Sequence, residues 1–279
     1  MNNSKEDADR LAGRRKVLGK RFLRTTISDT RYAVLASLSF LALLLGWNIV
    51  SAAKIIPPIF LPSPADVVRA LWEALASGEL LPDIWASVLR VMVGFLLGAG
   101  AAVPIGIVMG SLKSAEALLR PPTEFLRYLP VPAFLPLCIL WFGIGDLEKV
   151  VVIFLGTFFQ LVVLIADDAR AVPSQLLEIG YTLGFNRISC AWKIVLPGAL
   201  PRIFDHIRVG FGWAWSYVVV AEIVAANRGL GFMIMQGQRY LRTADVMAGV
   251  LVIGLLGLGA DWGLQAAARV LFPYENATE

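Results

Sequence analysis

The chain has 279 residues, of which 57% are hydrophobic and only 16% charged, and its mean hydropathy is +0.70. Soluble domains carry about a quarter charged residues, so this composition predicts a membrane protein with several spans rather than a soluble fold. Two cysteines and a single histidine, His206, exclude a disulfide framework and a multi-histidine metal site, and we expect no bound metal.

Six apolar segments approach the roughly 20 residues that a transmembrane helix requires. In chain order they cover residues 33–53, 84–110, 125–142, 150–166, 207–226 and 246–267. Together they predict an all-α, polytopic membrane bundle of about six transmembrane helices. The second segment holds five glycines, a composition typical of helices that pack closely in lipid.

The third segment is interrupted by three prolines, Pro130, Pro132 and Pro136. Non-helical backbone inside a bilayer is tolerated only where protein or a water-filled cavity satisfies the freed polar groups. The segment is therefore expected to line a pathway, with Pro130 and Pro132 among the lining residues. A re-entrant or simply kinked helix is the alternative.

Two connections between the apolar segments, residues 55–83 and 227–245, are polar. Residues 55–83 begin with a proline-bounded turn and continue as a short amphipathic helix, which is expected to lie along the membrane interface. Residues 227–245, between the last two segments, contain Gly229, Gly231 and Gly237 and are interpreted as a loop.

The basic residues predict the orientation of the bundle. An even number of spans places both termini on one side, and that side, with the long connection 169–205, holds 18 of the 25 basic residues against six on the other. The positive-inside rule puts the 18 in the cytoplasm. Residues 1–32 and 269–279 are then cytoplasmic tails, and the basic first tail is expected to lie on anionic lipid headgroups rather than on nucleic acid.

Ionisable residues at membrane depth are candidates for function. Arg90 lies about two turns inside the outer end of the second segment, where it can reach the interface or attract an anion. Glu222 in the fifth segment would repel an anion and is interpreted as a gate or helix-packing residue that pairs with Arg90. The other carboxylates near segment ends, Asp146, Glu148, Asp167, Asp168 and Asp261, are expected to be solvated, with contact to a basic partner protein as the alternative for Asp146 and Glu148.

Aromatic residues in the fifth segment are further candidates for the pathway. Trp213, Trp215 and Tyr217 alternate there beside Gly210 and Gly212. Such aromatics either pack in the bundle or narrow the passage, and spacing does not decide which. The full set of pathway candidates is Arg90, Pro130, Pro132, Trp213, Trp215, Tyr217 and Glu222.

The connection 169–205 is the most organised polar stretch of the chain. Pro173 and Ser174 favour a helix start, and Glu178 follows where the helix dipole favours a carboxylate. Gly184 allows the sharp turn that ends this helix. A second helix is predicted over residues 188–195, with Pro197 expected to stop it. The product is a short helix on the membrane surface that can dock into another protein.

The spacing in this connection resembles the EAA signature of ABC importer permeases. Glu178 is followed at the family spacing by Gly184, Ile194, Leu196 and Pro197, although Ile179 and Gly180 replace the two alanines. Further similarities are FLPSP at 60–64, WFGIG at 141–145, LPGALP at 196–201, AEI at 221–223 and GLG at 229–231. The set resembles the permeases for nitrate, taurine, alkanesulfonates and bicarbonate over about four fifths of the chain.

The resemblance implies a type I importer architecture in a bacterial inner membrane. Two permease subunits, expected here to be two copies of this chain, would form the pathway, and a periplasmic or lipid-anchored binding protein would deliver the solute. Each connection helix would sit in a cleft of a cytoplasmic ATPase subunit, which binds the ATP and Mg²⁺ while this chain binds no cofactor. The coupling residues implied are Glu178, Gly180, Leu183, Gly184, Phe185, Ile194, Leu196 and Pro197.

Other functional classes have less support in the sequence. A membrane-embedded enzyme would need a cluster of acids, histidines or a nucleophile at membrane depth, and an ATP-binding chain would need a glycine-lysine phosphate loop. An ion-driven secondary transporter, the main alternative, should show repeated halves with matching broken helices. The compact outer segment favours a sulfonate or taurine as solute over nitrate or bicarbonate.

Overall fold

The computed structural model describes residues 27–273, and all regular secondary structure within this range is helical. The expected all-α class is therefore confirmed. The basic tail around Lys5, Arg14 and Arg24 lies outside the described residues, as do the last six residues of the chain. The chain divides into two units, Met1–Pro57 and Pro58–Glu279.

The first unit contains one described helix, α1 (Asp29–Ala52). Its 24 residues give a length of about 36 Å, enough to cross the hydrocarbon core of a bilayer. The apolar residues lie on all sides of the helix, as in a membrane span. The helix begins four residues before the predicted start at residue 33, and its end agrees with the prediction.

The second unit opens with the predicted amphipathic helix, α2 (Pro64–Ala76). A capping box starts it: the Ser63 hydroxyl accepts from the Asp66 N–H (3.2 Å), and the Ser63 N–H donates to the Asp66 carboxylate (3.1 Å). The side-chain hydrogen bond from Ser63 lowers the pKa of Asp66. Val67 and Ala70 are buried in the unit, whereas Val68 and Trp72 are exposed.

Four long helices form the bundle of the second unit. They are α3 (Leu80–Ser111), α6 (Asp146–Arg170), α9 (Leu196–Ala225) and α11 (Thr243–Leu271). Helix α6 is central and packs most extensively against α3, then against α9. The predicted close packing through glycine is confirmed at Gly94 and Gly106, where an added Cβ would lie 2.7 Å from Ile153 and Ile165 of α6.

The third predicted segment is not one helix. It consists of α4 (Lys113–Arg127) and α5 (Val131–Phe142), whose axes differ by 97° at the break. At the break, Pro130 is extended (φ −67°, ψ 115°). A proline disfavours helical backbone at the residue before it, which here is Leu129. The predicted interruption by prolines is thus confirmed, while the single span 125–142 is wrong. Counting the bent pair as one span gives six candidate spans among the described residues.

The connection between the fourth and fifth spans also differs from the prediction. It forms α7 (Ser174–Thr182), the short α8 (Arg187–Cys190) and a π-helical turn (Ala191–Val195) that runs directly into α9. The expectation that Pro197 stops a helix is wrong. Proline lacks an N–H and its ring clashes with the carbonyl four residues earlier, and the wider π turn just before it relieves that clash.

The predicted loop 227–245 contains a helix, α10 (Leu230–Arg239), and that prediction is wrong as well. Gly229 has φ +125°, which is the turn geometry that favours glycine. Gly231 and Gly237 instead permit close contacts, because an added Cβ would lie 2.6 Å from the Glu222 side chain and 2.9 Å from that of Val246. Two of the three glycines therefore serve packing rather than a loop.

Candidate functional site

The first candidate site is the α7 hairpin, which we define as α7, the turn 183–186, α8 and the π turn. Helix α7 ends in a Schellman motif: Gly184 has φ +82°, its N–H donates to the Tyr181 carbonyl (3.0 Å), and the Phe185 N–H donates to the Gly180 carbonyl (3.0 Å). The predicted turn at Gly184 is confirmed. The Asn186 side chain then caps α8 by accepting from the Ser189 N–H (2.7 Å).

Gly180 holds α7 against the π turn. A Cβ at this position would overlap the tip of Ile194 and lie 3.1 Å from the Cys190 sulfur. Gly180 is buried, as is Cys190, so the two helical segments meet with almost no side-chain layer between them. A displacement of α7 must consequently be passed to the π turn and to α9.

The other side of α7 is exposed. Leu176, Ile179 and Leu183 lie on one face at 42%, 56% and 69% exposure, a spacing of three and four residues along the helix. Glu178 is also exposed and makes no ion pair among residues 27–273. Phe185 is half-buried beneath the Lys193 ammonium, 5.1 Å from its ring centroid. The hairpin therefore presents an apolar face and an unpaired carboxylate that can dock in a groove.

Six of the eight predicted coupling residues meet in this hairpin, and Leu196 and Pro197 lie beyond it at the start of α9. The continuous helical run Arg187–Ala225 has 39 residues and a length of about 58 Å. A bilayer core is about 30 Å thick, so part of this run projects beyond a bilayer that it crosses steeply. Its beginning carries Arg187, Lys193 and Arg202, and we expect the α7 hairpin to lie outside the hydrocarbon core.

The second candidate site lies at the opposite end of the bundle and is built around Arg90 and Glu222. The Arg90 guanidinium donates to Glu222 (2.6 Å), to Asp146 (2.7 Å) and to the carbonyl of Arg228 (2.8 Å). Glu222 is fully buried and also accepts from the Ser87 hydroxyl (2.8 Å) and the Gly231 N–H (2.8 Å). We call these residues with the turn 228–231 the Arg90 cluster.

The Arg90 cluster joins α3, α6, α9 and the turn before α10. Two more backbone donors of that turn bind α3, since the Gly229 N–H donates to Asp83 (2.8 Å) and the Leu230 N–H to Ser87 (2.9 Å). The predicted pairing of Arg90 with Glu222 is confirmed. Arg90 is buried and its guanidinium is bonded to Glu222, Asp146 and the Arg228 carbonyl, while its assignment to the pathway stays a prediction.

Sequence reasoning missed a buried pair beside this cluster. Glu148 was expected in a solvated turn, but it and its neighbour Lys149 are 0% and 1% exposed. The Lys149 ammonium donates to Glu148 (2.6 Å) and to the carbonyls of Gly145 and Ala225 (2.7 Å each). It thereby satisfies the last carbonyl of α9, a group that a helix end leaves free. The signal in the sequence was the unbroken apolar run that follows Lys149.

Three aspartates near the α7 end behave differently from one another. Asp168 was expected to be solvated but is 6% exposed and contacts the His206 ring nitrogen at 2.6 Å. Asp167 is exposed as expected and also accepts from Arg120 (3.0 Å). Asp261 is partly buried and accepts from Arg208 (2.6 Å). These pairs join α6 to α4 and to α9, and α9 to α11, at this end of the bundle.

A third feature is a cleft of about 300 Å³ at the break between α4 and α5. Pro130, Pro132 and Tyr217 line it, so the structure brings three of the seven pathway candidates together. Trp213 lies one turn from Tyr217 and is half-buried. Trp215 is 6% exposed and packs edge-on against Phe211 in the core of this unit, and its assignment to the pathway stays a prediction.

Residues 102–271 match the family described as binding-protein-dependent transport system inner membrane component. The chain is 34% identical over 252 residues to the taurine transport system permease protein TauC of Escherichia coli, covering 88% of this chain and 92% of TauC. It is 34% identical over 250 residues to the putative aliphatic sulfonates transport permease protein SsuC of Bacillus subtilis, covering 89% and 91%.

Among solved structures, a chain of the MetNI methionine ABC transporter in an inward-facing conformation superimposes with a TM-score of 0.62. The match covers 70% of the present chain and 97% of that chain at 17% sequence identity. At this identity the likeness shows a shared fold.

Proposed function

Because the chain belongs to the binding-protein-dependent transport system inner membrane component family and is an ABC importer permease, we propose that its solute is a small organosulfonate of the taurine type. The observation that carries the choice of solute is the identity of 34% to both TauC and SsuC over nearly nine tenths of the chain. The family membership also argues against the ion-driven carrier, which no feature of the described residues favours.

The α7 hairpin is the site through which partner ATPase subunits act in this proposal. Leu176, Ile179 and Leu183 enter a groove of the ATPase, and the Glu178 carboxylate meets a donor at its rim. ATP and Mg²⁺ are bound and used by those partners, and the chain itself binds no cofactor. Two observations support this assignment. Glu178 makes no ion pair among residues 27–273, and the apolar side chains of Leu176, Ile179 and Leu183 beside it are exposed.

Motion then reaches the membrane through the Gly180 contact. Closure of two ATPases displaces α7, and the tight contact with Cys190 and Ile194 transmits the displacement to the π turn and so to α9. Helix α9 carries Tyr217 to the cleft at the α4–α5 break. Displacement of a rigid element such as α7 can switch a helical bundle between two packing arrangements, and so convert a local event into a domain movement.

The remaining parts of the assembly follow the family organisation. A second copy of the chain completes the passage, and a periplasmic or lipid-anchored binding protein delivers the sulfonate at the end that holds the Arg90 cluster. The bias of basic residues supports a cytoplasmic α7 hairpin and cytoplasmic termini in a bacterial inner membrane. The Arg90 cluster keeps the outer ends of α3, α6 and α9 together while the inner ends move.

Reconstitution tests this function directly. The chain is co-expressed with a candidate ATPase, purified as a complex and placed in proteoliposomes that contain ATP. Radiolabelled taurine and a candidate binding protein are added outside the same vesicles. Taurine uptake that requires ATP and the binding protein is the expected result. A purified chain that carries no ATPase, or a complete complex that moves no sulfonate, would contradict the proposal.

A further inference from the structure

The cleft at the α4–α5 break holds polar groups that the protein itself leaves unused. Besides Pro130 and Pro132, its lining includes Arg127, Gly156, Gln160 and Tyr217. Within residues 27–273, neither the Gln160 amide nor the Tyr217 hydroxyl makes a hydrogen bond, and neither is fully buried. The two groups therefore face the cleft with their hydrogen-bonding capacity free.

These groups lie at membrane depth. Gln160 is ten residues before Arg170, the last residue of α6, and so lies about 15 Å inside the α7 end of that helix. Hydrocarbon cannot satisfy an amide or a hydroxyl, and an unpaired group costs several kcal/mol there. The cleft is consequently an aqueous or ligand-filled space rather than a surface against lipid tails.

The position of Tyr217 is built into the backbone. A Cβ at Gly156 would overlap the Tyr217 ring, so the aromatic ring rests directly on the α6 backbone. A larger residue at 156 would push the ring away from its present place in the cleft. Gly156 thus sets the position of the Tyr217 hydroxyl in the cleft, in addition to allowing α6 and α9 to approach each other closely.

Arg127 supplies a positive charge that has no counter-charge in the described part of the chain. Its contacts there are a hydrogen bond to the Tyr128 hydroxyl (3.1 Å) and stacking over the ring of the same residue (4.8 Å). The arginines nearby differ, since Arg120 and Arg170 bind carboxylates on α4 and α6. A cation at the edge of a wet cleft is a binding element for an anion.

We propose that this cleft is a solute subsite in which the Arg127 guanidinium receives the sulfonate group while the Gln160 amide and the Tyr217 hydroxyl hydrogen-bond to it. The inference rests on the proposed function and adds the residues that touch the solute inside the membrane. A sulfonate has three equivalent oxygens, and so it offers an acceptor to each of the three side chains that line the cleft. Tyr217 lies on α9, the helix that the α7 hairpin moves in the proposed function. A movement of α9 would therefore change the distances from the Tyr217 hydroxyl to Arg127 and Gln160.

The test uses the complete transporter in proteoliposomes and measures taurine delivered per ATP hydrolysed. For Arg127→Gln, Gln160→Leu and Tyr217→Phe we expect this ratio to fall about tenfold, the loss associated with removing a hydrogen bond to a charged group. The matched controls Arg239→Gln, Gln265→Leu and Tyr240→Phe change the same residue types outside the cleft and should keep the wild-type ratio. Arg127→Lys, which keeps the charge, should recover part of the loss.

The possible outcomes distinguish failure of the subsite from failure of the proposed transport function. Three variants with a wild-type ratio would show that the solute does not contact the cleft, while taurine transport itself stands. Complexes that no longer assemble would show that the cleft is filled by the second copy and would also overturn the subsite. A wild-type complex that takes up no sulfonate would instead refute the proposed function.

Access to the cleft provides a second measurement that does not depend on turnover. In the assembled complex with Cys138→Ala and Cys190→Ala, a Gln160→Cys variant is treated with an anionic methanethiosulfonate. We expect it to react about tenfold faster than Leu255→Cys in the middle of α11, because a basic aqueous cleft concentrates anions. Excess taurine should slow the reaction at residue 160. Equal rates at the two positions would show a dry cleft and overturn the subsite.

Discussion

Two glutamates at opposite ends of the bundle are held in opposite ways. Glu178 in the α7 hairpin is exposed and has no ion pair within residues 27–273. Glu222 in the Arg90 cluster is fully buried and accepts hydrogen bonds from Ser87, Arg90 and Gly231. A carboxylate whose bonds are all internal fixes the elements that supply them, whereas an unpaired surface carboxylate is available to another protein. One end is therefore built to be held together and the other to be moved.

The contrast extends to the backbone. Around the Arg90 cluster, the N–H groups of Gly229, Leu230 and Gly231 all bind side chains of α3 or α9. The α7 hairpin has mostly internal hydrogen bonds, and its contact with the following segment depends on one glycine. A turn fixed from several helices resists displacement, and a short hairpin with its own caps can shift as a unit.

The largest effect is expected from Glu222→Ala, which leaves Arg90 with one carboxylate partner in a buried site. Removing one member of a buried ion pair costs about 3 kcal/mol or more in the free energy of unfolding. Thermal unfolding of the purified protein in detergent measures it. The same change at Glu178 should leave the unfolding temperature unaltered.

A double variant serves as the control for this interpretation. Arg90→Leu with Glu222→Leu removes both buried charges and should be more stable than Glu222→Ala alone, because Glu222→Ala leaves the buried Arg90 guanidinium with only the exposed Asp146 carboxylate as its counter-charge. If the double variant is as unstable as the single one, shape rather than charge holds that end together.

Glu178→Ala should have the next largest effect, and it should affect transport rather than stability. Loss of a hydrogen bond to a charged group weakens association by about tenfold to a hundredfold. The ATPase recovered with the purified chain should fall by that factor, while the amount of chain in the membrane stays the same. Gln175→Ala on the same exposed helix is the matched control. Normal taurine uptake by Glu178→Ala would remove Glu178 from the coupling site.

Gly184→Pro tests the same hairpin through its backbone. Proline fixes φ near −65°, whereas Gly184 has φ +82°, so the Schellman motif cannot form. We expect insertion to persist and transport to be lost. Gly184→Asn is the comparison variant and should keep transport, because asparagine tolerates a positive φ at the end of a helix and a Cβ at residue 184 meets no other atom within 4 Å.

Gly180→Val should produce a smaller change because the overlap falls on the tip of a flexible side chain. Ile194 can rotate, so the expected cost is about 1–2 kcal/mol of hairpin packing. Hydrogen exchange of residues 174–195 would report faster opening, and taurine uptake would fall in proportion. Adding Ile194→Ala makes room for the valine and should restore uptake; without that recovery, the contact is not the route of transmission.

From the sequence, local turns and breaks were predicted better than the extent of the helices. The Gly184 turn and the proline break at residue 130 were predicted, because each depends on the backbone of a few neighbouring residues. The run through Pro197 was missed, since the π turn that accommodates the proline has no signature of its own in the sequence. Helix α10 was missed because packing glycines were interpreted as loop glycines.

Burial of charge was the other limit of sequence reasoning. The Arg90–Glu222 pair could be proposed because both residues interrupt apolar segments. Glu148 and Lys149 stand at a segment end, where a solvated turn is common, and only the carbonyls of Gly145 and Ala225 explain why they are buried. Gly145 lies four residues before Lys149, whereas Ala225 comes from a distant part of the chain. A single sequence contains no information on which helix end will arrive beside a lysine.

The smallest effect we predict concerns Asn186, whose side chain caps α8 in the hairpin. Asn186→Ala removes one N-cap hydrogen bond and should cost about 1 kcal/mol of local stability. Because the hairpin is held mainly by its own bonds, the loss should appear as faster hydrogen exchange in residues 187–195 and as a modest fall in uptake. Asn227→Ala, at the held end, changes an exposed asparagine and should alter neither measurement. If Asn186→Ala slowed transport as much as Glu178→Ala, the stiffness of the hairpin would matter as much as its docking surface. The division between a moved end and a held end would then be a matter of rigidity rather than of partner contacts.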